Sequence, residues 1–339
     1  MIAGTNVRVG IVGCGFIGGR HADALARVDG VEIAALYDAD AAKAAALAAK
    51  IGEKSAADRS PAAPRVVDSV PELLSIVDAL YICLPPFAHT NEVELAAKAG
   101  VHVFIEKPIA LSSDSAAAMV DHAERAGIVA QVGYMMRFAG AVQRIHSLIN
   151  DGTAGRPTLY QATYACNSLH TPWWRDRAKS GGQLFEQAIH IYDLALFFLG
   201  RPATVACAMD NLCHRDVDGY TAEDTSSSVI RFADGPIASI AATNCAVPGE
   251  WNHRFTLTCE RMVATVTNGT ALEIVFTHPD VRREEHVHDD DVFLAEDAAF
   301  IESVREGVTS PVPMRVGLDG VRLVEAATRA AQTGTVAKL

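Results

Sequence analysis

Residues 7–19, VRVGIVGCGFIGG, constrain this chain more than any other stretch. Four glycines (Gly13, Gly15, Gly18 and Gly19) crowd behind a β-branched run. Glycine is costly inside regular structure and belongs where backbone turns sharply or is closely approached. Gly13, Gly15 and Gly18 satisfy the spacing GxGxxG. The run before them reads as a buried strand, and 17–28 has helical spacing. A second strand, 31–37, ends at Asp38, twenty residues past Gly18. Strand, glycine loop, helix, strand and acid in this order predict a dinucleotide-binding βαβ unit. Gly13 would make the tight turn, Gly15 would admit a pyrophosphate to the backbone, and Gly18 would pack the helix on the sheet. The N–H groups at the helix start, at Phe16 and Ile17, would bind the phosphates. A carboxylate at Asp38 accepts ribose hydroxyls and repels a 2′-phosphate. No basic residue follows until Lys43, so NAD is favoured over NADP. A merely tight turn and a solvated strand-end Asp are the alternatives.

The alternation continues. Helix 39–50, a loop over 53–64, strand 65–67, helix 71–76, strand 79–84, helix 91–99, strand 101–105, helix 115–126 and strand 128–133 complete it. Apolar strands alternating with helices predict a parallel sheet covered on both faces. Past residue 135 the pattern changes. Helices are expected over 139–149 and 183–199, then strands at 203–213, 226–233, 236–246, 254–260, 262–267 and 270–276. Short turns separate these strands and predict an antiparallel sheet. Helices near 293–306 and 317–332 close the chain. The fold class is therefore α/β: a Rossmann domain over 1–134, then an α/β domain with a large, mostly antiparallel sheet over 135–339. The final helix is free to pack back on the first domain.

The 339 residues are half hydrophobic, enough for sizeable cores, and carry a net charge of −12. Such a balance argues against nucleic-acid and anionic-membrane partners. No apolar run is long enough to span a bilayer. The start, MIAGTNVRVGIV, lacks a basic n-region and reads as no signal peptide. Seven scattered cysteines without a CxxC read as buried, reduced thiols of a cytoplasmic protein. EEHVHDDD at 284–291 clusters two histidines with acids; it reads as a solvated acidic turn, and no metal is expected.

Two further stretches carry chemistry. In HVFIEKPIA, 102–110, Glu106 and Lys107 emerge at the carboxyl end of a parallel strand, where ligands of open α/β sheets bind. An exposed loop lysine is the alternative. In SGGQLFEQAIHIYDLALFFLG, 180–200, a helix is apolar except for Gln183, Glu186, Gln187, His190 and Asp193. Spacings of three and four place these on one narrow stripe without Lys or Arg, as beside a wet cleft. Histidine is the natural general base near neutral pH, and a nearby carboxylate can orient it. A satisfied core histidine is the alternative.

The glycine loop, CLPPFAH (83–89), EKP (106–108) and GGxxxExxxHxxD (181–193), in this order, resemble the Gfo/Idh/MocA family of NAD(P)-dependent oxidoreductases, over essentially the whole chain. AEDTSSSVIRFADG (222–235) also has the family's form. The resemblance implies oxidation of a secondary hydroxyl of a sugar, inositol or related polyol. It implies catalytic roles for Lys107, His190 and Glu186 and cofactor contacts at Leu84, Pro85, His89, Glu106 and Lys107. Glu186 stands where the family's motif has aspartate, which leaves the substrate open. Arg137, Trp174, Arg175 and Asp193 are candidates for substrate contact, and Asp193 for orienting His190. A homodimer or homotetramer through the antiparallel sheet is implied too. A glycosidase using transient oxidation, or a non-catalytic NAD- and sugar-sensing regulator, is the alternative on the same fold.

Overall fold

A computed structural model describes residues 6–58, 63–169 and 171–339. Strands and helices alternate first: β1 (Val7–Val12), α1 (Phe16–Leu25), β2 (Val31–Tyr37), α2 (Ala41–Asp58), β3 (Arg65–Val66), α3 (Val70–Leu74), β4 (Ala79–Ile82), α4 (Glu92–Ala99), β5 (His102–Ile105), α5 (Ser113–Ala126) and β6 (Ala130–Val132). Then come α6 (Gly140–Asn150), β7 (Pro157–Cys166), α7 (Pro172–Arg175), α8 (Arg177–Ser180) and a π-helical turn, Leu184–Ala188, running into α9 (Ile189–Leu199). Strands β8 (Pro202–Asp210), β9 (Thr225–Phe232), β10 (Ile237–Thr243), β11 (Trp251–Cys259), β12 (Met262–Thr267), β13 (Ala271–Phe276) and β14 (Arg282–Val287) follow. Helices α10 (Val292–Glu306) and α11 (Met314–Thr333) and strand β15 (Ala337–Lys338) end the chain.

The chain divides into two compact units. The first comprises Met1–Ala110, Asp114–Gly133 and Asp291–Leu318. Its sheet is six-stranded, in the order β3-β2-β1-β4-β5-β6, and parallel throughout. Strands β1, β4 and β5 are apolar without alternation because both faces are covered; β4 is buried at every position. Tyr81 of β4 stacks on Phe104 of β5 with ring centroids 4.6 Å apart, and Phe300 of α10 meets both edge-on. Burying each such ring stabilises the fold by about 1.5–3 kcal/mol. Helix α10 packs on α1, so a segment from the far end of the chain completes this core. Helix α2 runs eight residues past the expected end at 50, because only Gly52 opposes helix there. Of the loop expected over 53–64, residues 59–62 lie outside the described residues.

The second unit comprises Leu111–Ser113, Tyr134–Asp290 and Asp319–Leu339. Its nine strands run β14-β13-β12-β11-β7-β10-β9-β8-β15. All pairs are antiparallel except β7 with β10. Strict alternation over β9 and β13 turns Ser228, Ile230, Leu272 and Ile274 inward. Helix α9 lies on that inner face, held by Tyr160 Oη donating to Ile191 O at 3.1 Å and by Tyr192 Oη with Ser228 Oγ at 2.5 Å. The outer face carries a shallow hollow of about 650 Å³ lined by residues including Thr163, Ala208, Thr225 and Ala241. Strand β7 was not expected: its Thr, Gln and Ala residues give little period-2 contrast. Nor was β14, so the stretch read as an acidic turn is, through Val287, an edge strand.

His253 on β11 lies parallel to Tyr164 at 6.4 Å, and burial lowers its pKa to about 4. The unfolded imidazole binds its proton near pH 6.5, the folded one only near 4. Stability is therefore full above pH 6.5 and falls as pH drops toward 4. Denaturant titrations should show His253→Gln flattening that fall by about 2 kcal/mol, allowing for partial exposure. An unchanged pH slope would remove His253 as its source.

Candidate active site

In the first unit the expected cofactor residues gather at the carboxyl ends of β1, β2, β4 and β5. Gly13 has φ +92°, and a Cβ there would meet Cys83 O at 2.5 Å. A Cβ on Gly18 would lie 2.1 Å from Gly13 O. Gly15 differs: a Cβ on it has nothing within 4 Å. Two glycines are thus demanded by the fold, and the third leaves open space at the start of α1. Phe16 beside it is 82% exposed, and Ile17 lies in the helix's first turn. Asp38 Oδ2 accepts from Cys14 N at 2.8 Å and its Oδ1 from Asp40 N at 2.9 Å, which fixes the carboxylate against the glycine loop.

Gly18→Ala should therefore lower the melting temperature clearly, because backbone must move. Gly15→Ala should leave it unchanged within about 2 °C and weaken dinucleotide binding. Thermal melts together with NAD⁺ titration check this; an equal loss of stability in both variants would contradict it.

Leu84 and Pro85 follow β4, and Leu84 Cδ2 lies beside the Gly13 turn. His89 sits between two carbonyls, Nδ1 at 2.9 Å from Ile109 O and Nε2 at 3.2 Å from Leu84 O, and burial lowers its pKa. Glu106 is largely internal: its Oε2 accepts from Lys107 N at 3.0 Å and its Oε1 lies 3.1 Å from His21 Nε2. His21 Nδ1 faces Asp297 Oδ1 of α10 at 2.9 Å. Burial opposes charge on this ring, but the two carboxylates outweigh it and hold its pKa well above the usual histidine value. Neighbouring Glu296 is fully buried, and burial pushes its pKa well up. The sequence reading missed this cluster. Its one local signal was His21 three residues after Gly18, on the helix face that packs on the sheet. Pro108 follows Lys107 through a cis peptide bond.

In the second unit the polar stripe of 183–193 does not stay on one face. The π-helical turn at Leu184–Ala188 advances fewer degrees per residue than an α-helix and separates its members. Gln183 and Gln187 turn inward: Cys166 Sγ donates to Gln187 Oε1 at 3.3 Å and to Asn244 Oδ1 at 3.1 Å. Asp193 is held by Arg137. Both its oxygens accept from Arg137, at 2.8 Å from Nε and 2.7 Å from Nη2, and the pair is buried. Arg137 also lies over the Phe197 ring at 4.5 Å. These two residues, expected at the substrate, form a buried ion pair with each other.

Glu186 lies in the π-helical turn and His190 at the start of α9. Trp174 is buried, and its Nε1 donates to Glu186 Oε2 at 2.6 Å. The indole therefore serves by aiming a carboxylate. Tyr134 meets the His190 ring edge-on at 6.2 Å. Arg175 donates Nε to Leu169 O, and its own carbonyl accepts from Thr221 N and Ala222 N. Glu223 was missed as well: its Oε1 accepts from Leu184 N at 2.8 Å, capping the start of the segment that bears Glu186 and His190. A Cβ on Gly182 would collide with it.

Among the described residues, the two histidines of 284–291 join no metal-binding group, and no helix is long and apolar enough to cross a membrane.

The profile of a family described as "Oxidoreductase family, NAD-binding Rossmann fold" matches residues 7–134, and that of the GFO/IDH/MocA C-terminal domain matches 142–265. Inositol 2-dehydrogenase of Rhizobium meliloti is 26% identical over 330 residues, covering 95% of this chain and 96% of that protein. An uncharacterized oxidoreductase of Streptococcus pneumoniae is 34% identical over 220 residues; the match covers 61% of this chain and about half (54%) of that relative's length. The structure of levoglucosan dehydrogenase with NADH and L-sorbose superposes with a TM-score of 0.89 at 20% identity, covering 99% of each chain.

Proposed function

Since the chain belongs to the GFO/IDH/MocA family of NAD-binding oxidoreductases, we propose that it oxidises a secondary hydroxyl of a sugar, inositol or related polyol with NAD. The observation that carries this reading is the open space over Gly15 beside two glycines filled by backbone. It fits a cradle for a pyrophosphate at a helix start. Gly13, Gly15, Phe16, Ile17 and Gly18 would hold the phosphates and Asp38 the adenosine ribose; Leu84, Pro85, His89 and Glu106 would line the nicotinamide end. NAD supplies the hydride acceptor.

The chain's own residues do the rest. His190 Nε2 takes the proton from the reacting hydroxyl. The Lys107 ammonium donates to the same oxygen and stabilises its developing negative charge. Glu186, aimed by Trp174, accepts from a neighbouring hydroxyl of the polyol. Its extra methylene relative to aspartate shifts that contact and so selects among polyols. Arg175, beside Trp174 on α7, is a further candidate for substrate contact. The outer face of the nine-stranded sheet, where Val229 and Ile237 are exposed, is the surface for homo-oligomer contact.

The test is NADH absorbance over a panel of inositols, aldoses, sugar acids and amino sugars, with NAD⁺ and NADP⁺. Turnover with NAD⁺ that Lys107→Ala abolishes supports the reading. Tight NAD⁺ binding without turnover on any member, or glycoside cleavage without net NADH, overturns it. Asp38→Ala is expected to narrow the preference for NAD⁺ over NADP⁺ in kcat/KM by about tenfold or more, since juxtaposed like charges cost several kcal/mol. An unchanged ratio would take Asp38 out of cofactor choice.

A further inference from the structure

Not every thiol of this chain is buried. Cys213, on the excursion between β8 and β9, is exposed, and Cys245, just past β10, is half-buried. Their sulfurs and a carboxylate oxygen of Asp224 all lie within 4.8 Å of one another. Such a group has two chemical uses, a soft-metal site or a dithiol. The carboxylate decides between them. Asp224 Oδ2 accepts from Cys213 N at 2.7 Å, His214 N at 3.0 Å and His214 Nδ1 at 3.0 Å. Its Oδ1 accepts from Leu212 N at 2.9 Å and Thr225 Oγ1 at 3.1 Å. With its lone pairs taken, Asp224 is an anchor for the loop and offers nothing to a cation. Two adjacent sulfurs remain.

We propose that Cys213 and Cys245 form an oxidation-sensitive pair that closes to an intramolecular disulfide under hydroperoxide. The exposed Cys213 thiolate attacks the peroxide O–O bond, giving a sulfenic acid and releasing water or an alcohol. The Cys245 sulfur then attacks the sulfenic sulfur; the S–S bond forms, the S–O bond breaks, and hydroxide leaves with the thiol proton as water. The peroxide is reduced by two electrons and the two thiols are oxidised. A small dithiol reverses the step by exchange. Burial, the hydrogen bond with Cys213 and the nearby Asp224 raise the Cys245 pKa to about 11. That makes Cys245 a poor first nucleophile toward peroxide and leaves the exposed Cys213 to react first.

The pair is wired to the substrate-side wall. His214, next to Cys213, stacks on Tyr220 at 4.6 Å, and Tyr220 meets Trp174 edge-on at 6.1 Å. Trp174 holds Glu186. Asn244, next to Cys245, donates to Tyr220 Oη at 2.9 Å and to Ser168 O at 2.8 Å. Closing the sulfurs to about 2.05 Å must move one of these segments. This coupling rests on the dehydrogenase reading; the cross-link itself does not.

The experiment treats the reduced, desalted full chain with hydrogen peroxide and maps peptides without reduction. One linked pair, Cys213 with Cys245, in a chain that stays monomeric on a denaturing gel, is expected. Cys245→Ser should accumulate a dimedone-reactive sulfenic acid at Cys213, and Cys213→Ser should leave Cys245 unmodified at the same dose. Sulfinic acid at Cys213 without linkage, or linkage between chains, overturns the proposal, and the wild-type map alone decides this if a variant fails to fold. With a substrate in hand, the linked form should show KM raised about threefold, NAD⁺ affinity within about twofold and dithiol reversal. A linked form with unchanged KM overturns the coupling and leaves the cross-link standing.

Discussion

His190→Asn is expected to lower kcat/KM for the polyol by about 10²- to 10⁴-fold, the range for loss of a positioned general base. The proposed cofactor residues all belong to the first unit, so NAD⁺ affinity should change little. The loss should fall mainly on kcat, because the proton moves only in the transition state. The substitution keeps a polar side chain that cannot take up the proton, and the Tyr134 ring that meets His190 is unaltered. The low-pH limb of the wild-type rate profile, which reports protonation of the base, should disappear in the variant. A variant with wild-type kcat, or with the limb intact, would move the base elsewhere. Steady-state kinetics from pH 5 to 9 with an NAD⁺ titration separate these outcomes.

The second large effect is on stability. His21 is completely buried between Asp297 and Glu106. His21→Leu removes the one cation and leaves two carboxylates in an apolar interior beside Glu296. Removing one partner of a buried charged group costs about 3–5 kcal/mol, which for a unit of this size corresponds to a fall in melting temperature of about 10 °C. The sign with pH follows from the raised pKa. Below about pH 6.5 folded and unfolded rings are both protonated and the stabilisation is complete. It is lost as pH rises through the folded-state value, because the unfolded chain has already released its proton. The alkaline decline in stability should therefore be shallower in His21→Leu than in the wild type. Urea titrations across pH measure both. A variant within about 1 kcal/mol of wild type would show that the charge contributes little. Glu106 also accepts from the Lys107 N–H, so loss of His21 is expected to disturb the backbone that carries Lys107.

Much of this was legible because some physical requirements are local. A glycine loop must turn within a few residues, and both its φ and its close approaches follow from its own neighbours. The parallel strands announce themselves through unbroken apolar runs. Glu186 and His190 lie four apart on one segment. Weakly patterned elements were not legible: β7 has small and polar residues on both faces, and β14 is a charged edge strand. The end of α2 turned on a single glycine, and α10 joins a core whose other members lie some two hundred residues away in the chain.

The sequence by itself determined the βαβ unit, the glycine loop with Asp38, the change from parallel to antiparallel grammar and the pair Glu186 and His190, because each is set by spacing within one or two elements. Only the tertiary structure decided what those side chains meet. It gave Asp193 to Arg137, Glu186 to Trp174, the start of the site helix to Glu223, and His21 to Asp297 of α10. Each such pair joins residues of different segments. Burial requires a polar group to find a partner, but it does not fix which residue that partner will be. Packing chooses it, and spacing along the chain carries no trace of the choice.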